Sequence, residues 1–230
     1  MAEELEQQVV AVGALAEPVR WALYRFVAGS AEPVSREQAS AAVDLPLHTA
    51  KFHLDRLVAE GLLEVEYRRL TGRTGPGAGR PSKLYRRADR QVSISLPERR
   101  YDLAGDLLAA AIDRAQRDGT PVGETLRAVA RAAGLRIAEE AAEAGASSAA
   151  SDEVALISEL LAAHGYEPRL AEHDVCLANC PFDRLAAEHT DLVCGMNLAL
   201  VEGVLEGVDV DPSRARLDPE PGLCCVKIAT

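Results

Sequence analysis

Between Ser35 and Arg87 the hydrophobic period switches from helical to alternating at one glycine, and that switch restricts the N-terminal fold more than any other feature. SREQASAAV opens with Ser35 and Gln38 in capping-box spacing, so a short helix is expected there. DLPL breaks it, because Pro46 cannot continue one helix but fits the first turn of the next. PLHTAKFHLDRLVAEG then places Leu47, Ala50, Leu54, Leu57 and Val58 on a core-facing stripe and stops at Gly61. After Gly61 the period becomes two: LLEVEYRRL reads as a strand, TGRTGPGAGRPS as a glycine-rich tip and KLYRRA as the returning strand. Upstream, LAEPVRWALYRFVAG puts Leu15, Val19, Leu23, Phe26 and Val27 on one helical face and ends at Gly29. The order is helix, helix, tight turn, helix, basic hairpin.

Charge follows the same division. The chain carries a net −11, yet residues 1–100 hold 15 Lys and Arg against 13 Asp and Glu, while residues 101–230 hold 10 against 23. Residues 67–88 contain seven basic side chains and no acidic one. A basic hairpin on an acidic protein is an address for phosphate, and the asymmetry implies two jobs in two regions.

The stretch HLDRLVAEGLLEVEYRRLTGRTGPGAGRPSKLYR resembles the winged helix-turn-helix repressors of the ArsR-like class, with a His-Leu-x-x-Leu pattern and a Gly-Leu pair leading into a basic wing. The resemblance implies a DNA-binding transcriptional regulator, a repressor, with double-stranded DNA as partner. In such a fold the third helix enters the major groove and the wing lies along the backbone. The helix offers His48, Thr49, Lys51, Phe52, His53 and Arg56, and the wing offers Arg68, Arg69, Arg73, Arg80 and Lys83. Lys51 and Arg56 suit phosphates, Thr49 a thymine methyl or a phosphate, and the histidines can donate or accept. His53 can equally pack half-buried beside Leu54.

Nearly half the residues are hydrophobic (48%) and only 4% aromatic, a helix-rich composition, so the expected fold class is mainly α with small β (α+β). Three regions are expected: a winged helix-turn-helix over 1–92, a long-helix dimerisation or linker region over 93–150, and a small α+β sensor domain over 151–230. In the middle region a helix from Pro97 to about Asp118 carries Leu96, Leu103, Leu107, Ala110 and Ala111 as an apolar stripe, and VGETLRAVARAAGLRIAEEAAEAG forms a second helix. Two long helices after a wing commonly form the dimer interface in such repressors, so a homodimer resting on Leu103, Leu107 and Ala111 is expected, with packing inside one domain as the alternative. The last region reads as DEVALISELLAAHG helix, one or two strands in YEPRLAEHDVCLA, one or two helices from Pro181, and two short strands in RARLDPEPGLCCVKI. No apolar run approaches ~20 residues and the acidic start lacks the regions of a signal peptide, so a cytoplasmic protein with no membrane partner is expected.

All five cysteines, Cys176, Cys180, Cys194, Cys224 and Cys225, fall in the last quarter. Thirteen residues separate Cys180 from Cys194 and twenty-nine separate Cys194 from Cys224, so these are not the tight CxxC knuckles of a structural zinc site. Only the fold can bring them together. Thiolates are soft ligands that favour iron–sulfur clusters, zinc or cuprous copper. The Asn-Cys-Pro stretch, a second Cys about one helix later and a third before the C-terminal strand resemble the cluster-sensing repressors of iron–sulfur assembly operons, the SufR-like family. That resemblance implies an iron–sulfur cluster on Cys180, Cys194 and Cys224, with zinc as the alternative metal. The fourth ligand is open among Cys176, Cys225, His173 and His189. The chain departs from the family pattern in the CGMN after Cys194, in the doubled Cys225 and in the extra Cys176.

Other uses of these residues stay open: inert buried cysteines, a dithiol–disulfide switch, or a pocket for a small organic ligand in the same region. Strand alternation would turn Cys225 away from Cys224. A thiol redox enzyme is the competitor from another class, but CLANC is not CxxC and no phosphate loop, GxSxG or HExxH occurs. Glu188 and His189 as neighbours on a helix would point about 100° apart, so they make no acid–base pair. Catalysis is therefore not expected.

Overall fold

The computed structural model describes residues 2–69, 81–145 and 153–230, so the wing-tip residues Arg73 and Arg80 lie outside the described residues. Among the described residues the fold is mainly α with two small antiparallel sheets. The chain divides into two compact units, Met1–Ile94 and Ser95–Thr230. Among the described residues no helix is long and apolar enough to cross a membrane.

The first unit runs α1 (Ala2–Leu15), α2 (Pro18–Ala28), β1 (Val34–Ser35), α3 (Arg36–Ala42), α4 (Leu47–Ala59), β2 (Leu63–Arg68) and β3 (Ser82–Arg87). Helix α2 does not start at Leu15. Glu17 caps it by accepting from the Val19 and Arg20 amides, and Pro18 occupies the first turn. Helix α1 was not expected at all, because its larger apolar residues Leu5, Val9 and Val12 are exposed and only the small Ala11 and Ala14 are buried. Ser35 and Gln38 form the expected capping box on α3. The α3–α4 turn passes through Asp44 at φ 52°, and α4 ends at Gly61, φ 68°, where the Leu62 amide donates to the Leu57 carbonyl. Leu47 stands at the start of α4 on its exposed side rather than in the core. Leu23, Val27, Ala50, Leu54, Leu57 and Leu63 form that core with Tyr85 of β3. The hairpin pairs Leu63 with Arg87 through Arg68 with Ser82, and β1 lies on the other side of β3.

The second unit contains α5 (Tyr101–Asp118), α6 (Val122–Glu143), α7 (Glu153–Ala162), β4 (Pro168–Leu170), β5 (Asp174–Leu177), α8 (Asp183–Glu188), α9 (Thr190–Gly207), β6 (Ala215–Leu217) and β7 (Val226–Ala229). Its sheet has the order β4-β5-β7-β6, antiparallel throughout. Val175, Leu177, Val226 and Ile228 pack from the sheet against Ile157 and Leu161 of α7 and Val201 and Leu205 of α9.

The two long helices belong to this unit's own core. Leu107 and Ala111 are buried among Leu126, Ala130, Phe182, Val193, Met196 and Leu200, and Leu103 packs against the same group. The stripe expected to form a dimer interface is therefore covered within one chain. Helices α6 and α9 approach closely enough for backbone to meet backbone. Helix α6 carries Ala130, Gly134 and Ala138 at four-residue spacing, and α9 carries Ala199, Gly203 and Gly207. A Cβ on Gly134 would lie 2.1 Å from the Leu200 carbonyl oxygen, and one on Gly203 would lie 2.1 Å from that of Arg131. Beside this contact Arg131 reaches Glu206 at 2.8 Å and Glu202 at 3.4 Å.

Candidate DNA-binding surface and thiol site

Helix α4 buries Ala50, Leu54 and Leu57, which leaves His48, Lys51 and Phe52 on its outer side. Phe52 is 66% exposed, and Thr49 is half-buried. Arg56 is exposed but pairs with Glu60 at 2.5 Å. His53 turns inward instead: its Nδ1 lies 3.6 Å from Glu17, buried and without a hydrogen-bond partner among the described residues. Of the six helix positions expected to face DNA, Thr49 and His53 are the half-buried ones.

An unexpected residue fixes the helix to the wing. Asp55, on α4, takes Lys83 Nζ at 2.5 Å and accepts from the Tyr85 hydroxyl at 3.0 Å. Burial pushes its carboxyl up, but the bonds from Lys83 and Tyr85 outweigh it and hold Asp55 below its ordinary value. A carboxyl with a depressed folded pKa adds stability above its unfolded pKa and loses it as pH falls through the folded value. The first unit is therefore expected to lose about 1 kcal/mol as pH drops below ~4, discounted for partial exposure. Asp55→Asn should abolish that acid sensitivity; urea unfolding followed by the sole tryptophan, Trp21, at neutral and acid pH measures it.

The basic hairpin is less free than its own sequence implies. Arg68 lies 3.4 Å from Glu32 and 3.5 Å from Glu66, and Arg86 lies 2.8 Å from Glu64. With Lys83 on Asp55, three of its cations have acidic partners supplied from β2, α4 or the residues before β1. Among the described residues Arg69 and Arg87 are exposed without an ion pair.

In the second unit the fold gathers four thiols from three segments. Cys180 follows β5, Cys194 lies in the second turn of α9, and Cys224 and Cys225 sit in the turn before β7. Since β7 begins only at Val226, alternation does not separate the vicinal pair. Both turn to the same place. The Cys224 sulfur accepts from the Cys180 and Cys225 thiols, and Cys225 also contacts Cys194. Asn197 Nδ2 donates to the Cys224 sulfur at 3.2 Å, and its Oδ1 accepts from the buried Tyr166 hydroxyl. The bonds from Cys180 and Cys225 hold the Cys224 thiol well below its usual range. Sharing with Cys224, together with burial, pushes Cys180 and Cys225 up. Cys194 and Cys224 are buried, and Cys180 and Cys225 half-buried.

The other fourth-ligand candidates stand elsewhere. Cys176 lies on β5 between Val175 and Leu177, whose side chains enter the core, so its own side chain leaves by the opposite face. His173 and His189 are exposed. Asn197 and Tyr166 escaped the sequence reading, although CGMN places Asn197 three residues after Cys194, on nearly the same helical face. Among the described residues no group of three or more His, Cys, Asp or Glu stands arranged to hold a metal ion.

No curated protein and no solved structure matches the chain. Residues 15–66, from the end of α1 into β2, match the model of a family described as a helix-turn-helix domain, which supports a DNA-binding transcriptional regulator.

Proposed function

We propose that this chain is a homodimeric, winged helix-turn-helix repressor of the ArsR-like class whose operator binding is set by an iron–sulfur cluster on Cys180, Cys194, Cys224 and Cys225. The helix-turn-helix match supports the DNA-binding part. A single observation carries the sensing part: Cys180 and Cys225 both bond to Cys224, and Cys225 also contacts Cys194, so thiols from three segments meet in one place. The donor set matches such a group in residue type, four soft sulfurs, although among the described residues they do not stand arranged to hold an ion, and zinc is the alternative metal. Binding would release the thiol protons. The bound cluster would supply sensitivity to iron supply and to oxidants. Asn197 keeps the Cys224 sulfur oriented and hydrogen-bonded, as outer residues do around thiolate ligands. The dimer contact lies outside the Leu107 stripe, which the chain itself covers.

The same thiol contacts support a second reading, a dithiol–disulfide switch with no metal. Anaerobic purification separates the two. Iron, sulfide and brown visible absorbance are expected in the wild type and in Cys176→Ser, and are expected to be lost in Cys194→Ser. A colourless wild type without iron or zinc overturns the metal and leaves the dithiol switch.

A further inference from the structure

The loop that carries Cys180 is bonded on both sides of the cysteine to the segment with which the second unit begins. Asn179, 5% exposed, uses most of its amide there: Nδ2 donates to the Glu98 carbonyl at 2.9 Å and Oδ1 accepts from Arg99 Nη1, while Nδ2 also donates to the Gly165 carbonyl at 2.5 Å, between α7 and β4. The same Arg99 nitrogen donates to the Cys180 carbonyl at 2.8 Å, and Nη2 lies 3.6 Å from Asp183. The Arg100 amide donates to the Pro181 carbonyl at 3.0 Å, and the Tyr101 hydroxyl accepts from the Arg184 amide at 3.3 Å. Gly165 also lies against Glu98, since a Cβ there would stand 3.2 Å from Glu98 Cγ. Residues 98–101 are thus zipped to residues 179–184.

We infer that Arg99 and Asn179 are positioning residues that couple the state of the thiol site to the segment Ser95–Arg100, through which the chain arrives from the DNA-binding unit. The inference rests on the reading of the thiols as a sensor. Its physical basis is short. Any change of bonding at the Cys180 sulfur is felt by a backbone carbonyl one residue's length away, and that carbonyl is held by Arg99. A planar guanidinium with fixed donors can grip Asn179 and the carbonyl together only in one geometry, so displacement of either end breaks a bond rather than bending it. Ser95 follows Ile94 directly, so reorganisation of residues 98–100 alters the tether of the first unit without any wire through packed side chains.

The test uses the full-length chain carrying Cys176→Ser, so that only the four gathered thiols react. Diamide takes two hydrogen atoms from a thiol pair: two S–H bonds break, one S–S bond forms, and the reagent's N=N becomes HN–NH. With Arg99 intact, oxidation is expected to change duplex-DNA affinity by ~5- to 150-fold, the ordinary span of coupling between sites. It should also change amide hydrogen exchange in residues 95–103. In Arg99→Lys and in Asn179→Ala the thiols should oxidise to the same extent, while both responses collapse toward none. The lysine keeps a cation beside Asp183 but not the planar nitrogen whose two hydrogens point in fixed directions, so a merely electrostatic role would be rescued by it. Variants that keep the full oxidised-to-reduced affinity ratio overturn the inference, as does an Arg99 protein whose DNA affinity ignores thiol oxidation. Iron content on the same samples judges the proposed function separately: an iron-free protein with an Arg99-dependent ratio sinks the cluster and sustains the coupling.

Discussion

A single methyl group at Gly203 is expected to destabilise the C-terminal unit by about 2–3 kcal/mol, the cost of overpacking a site that cannot yield. The new Cβ would meet three backbone atoms of Arg131, the carbonyl oxygen at 2.1 Å, the carbonyl carbon at 2.9 Å and Cα at 3.1 Å. None of these can rotate away, so α9 must move off α6. That motion loosens Ala130, Ala133 and Leu200 in the shared core, and it separates Arg131 from Glu202 and Glu206. The better helix propensity of alanine returns only about 1 kcal/mol. Gly105→Ala on α5 is the control, because a Cβ there meets nothing within 4 Å. It should be neutral or stabilise by up to about 1 kcal/mol. Urea unfolding followed by far-ultraviolet circular dichroism separates the two variants, and equal midpoints would show that the α6–α9 contact is not this tight.

Removing Lys51, Arg69 and Arg87 together is expected to weaken binding to every duplex alike by about 10- to 1,000-fold, and to lower the salt-dependence slope by about three. These cations are exposed, and among the described residues they have no ion pair, so their charge is available to phosphate. Arg68, Lys83 and Arg86 differ. Each has an acidic partner already in place, so a phosphate must compete with Glu32 and Glu66, Asp55 or Glu64. Their triple replacement by alanine should flatten the salt dependence less. Equal effects from the two sets, or an unchanged slope in the first, would contradict this division of the basic surface.

What the sequence made legible was whatever leaves a one-dimensional trace. Helices α2 to α4 carry buried residues at helical spacing, a capping box and a terminal glycine, and the hairpin changes period after Gly61; all of these were readable. Helix α1 was not, because its apolar residues face outward and its buried ones are alanines. Leu107 shows the limit of periodicity: a stripe reveals that something covers it, not whether the cover is a second chain or α6 and α9. Gly134 and Gly203 carry no hydrophobic signal at all, although they set how closely the two helices meet. In the thiol site the residue types were legible and their convergence was not. Strand alternation would send Cys225 to the far side from Cys224, but the strand begins one residue later. Asp55 and Asn197 are polar residues on otherwise well-read helices, and only tertiary geometry shows what they hold.

The central claim, that the gathered thiols govern DNA binding, is tested most directly by one anaerobic titration of duplex DNA from its own promoter region. Wild type and Cys194→Ser are compared, each after iron and sulfide reconstitution and again after chelation. Wild type is predicted to take up iron and to bind the duplex more tightly when loaded than when stripped. Cys194→Ser is predicted to take up none, and to bind like stripped wild type under both conditions. A Cys194→Ser protein that keeps its iron, or that loses it and still binds DNA as tightly as loaded wild type, contradicts the claim.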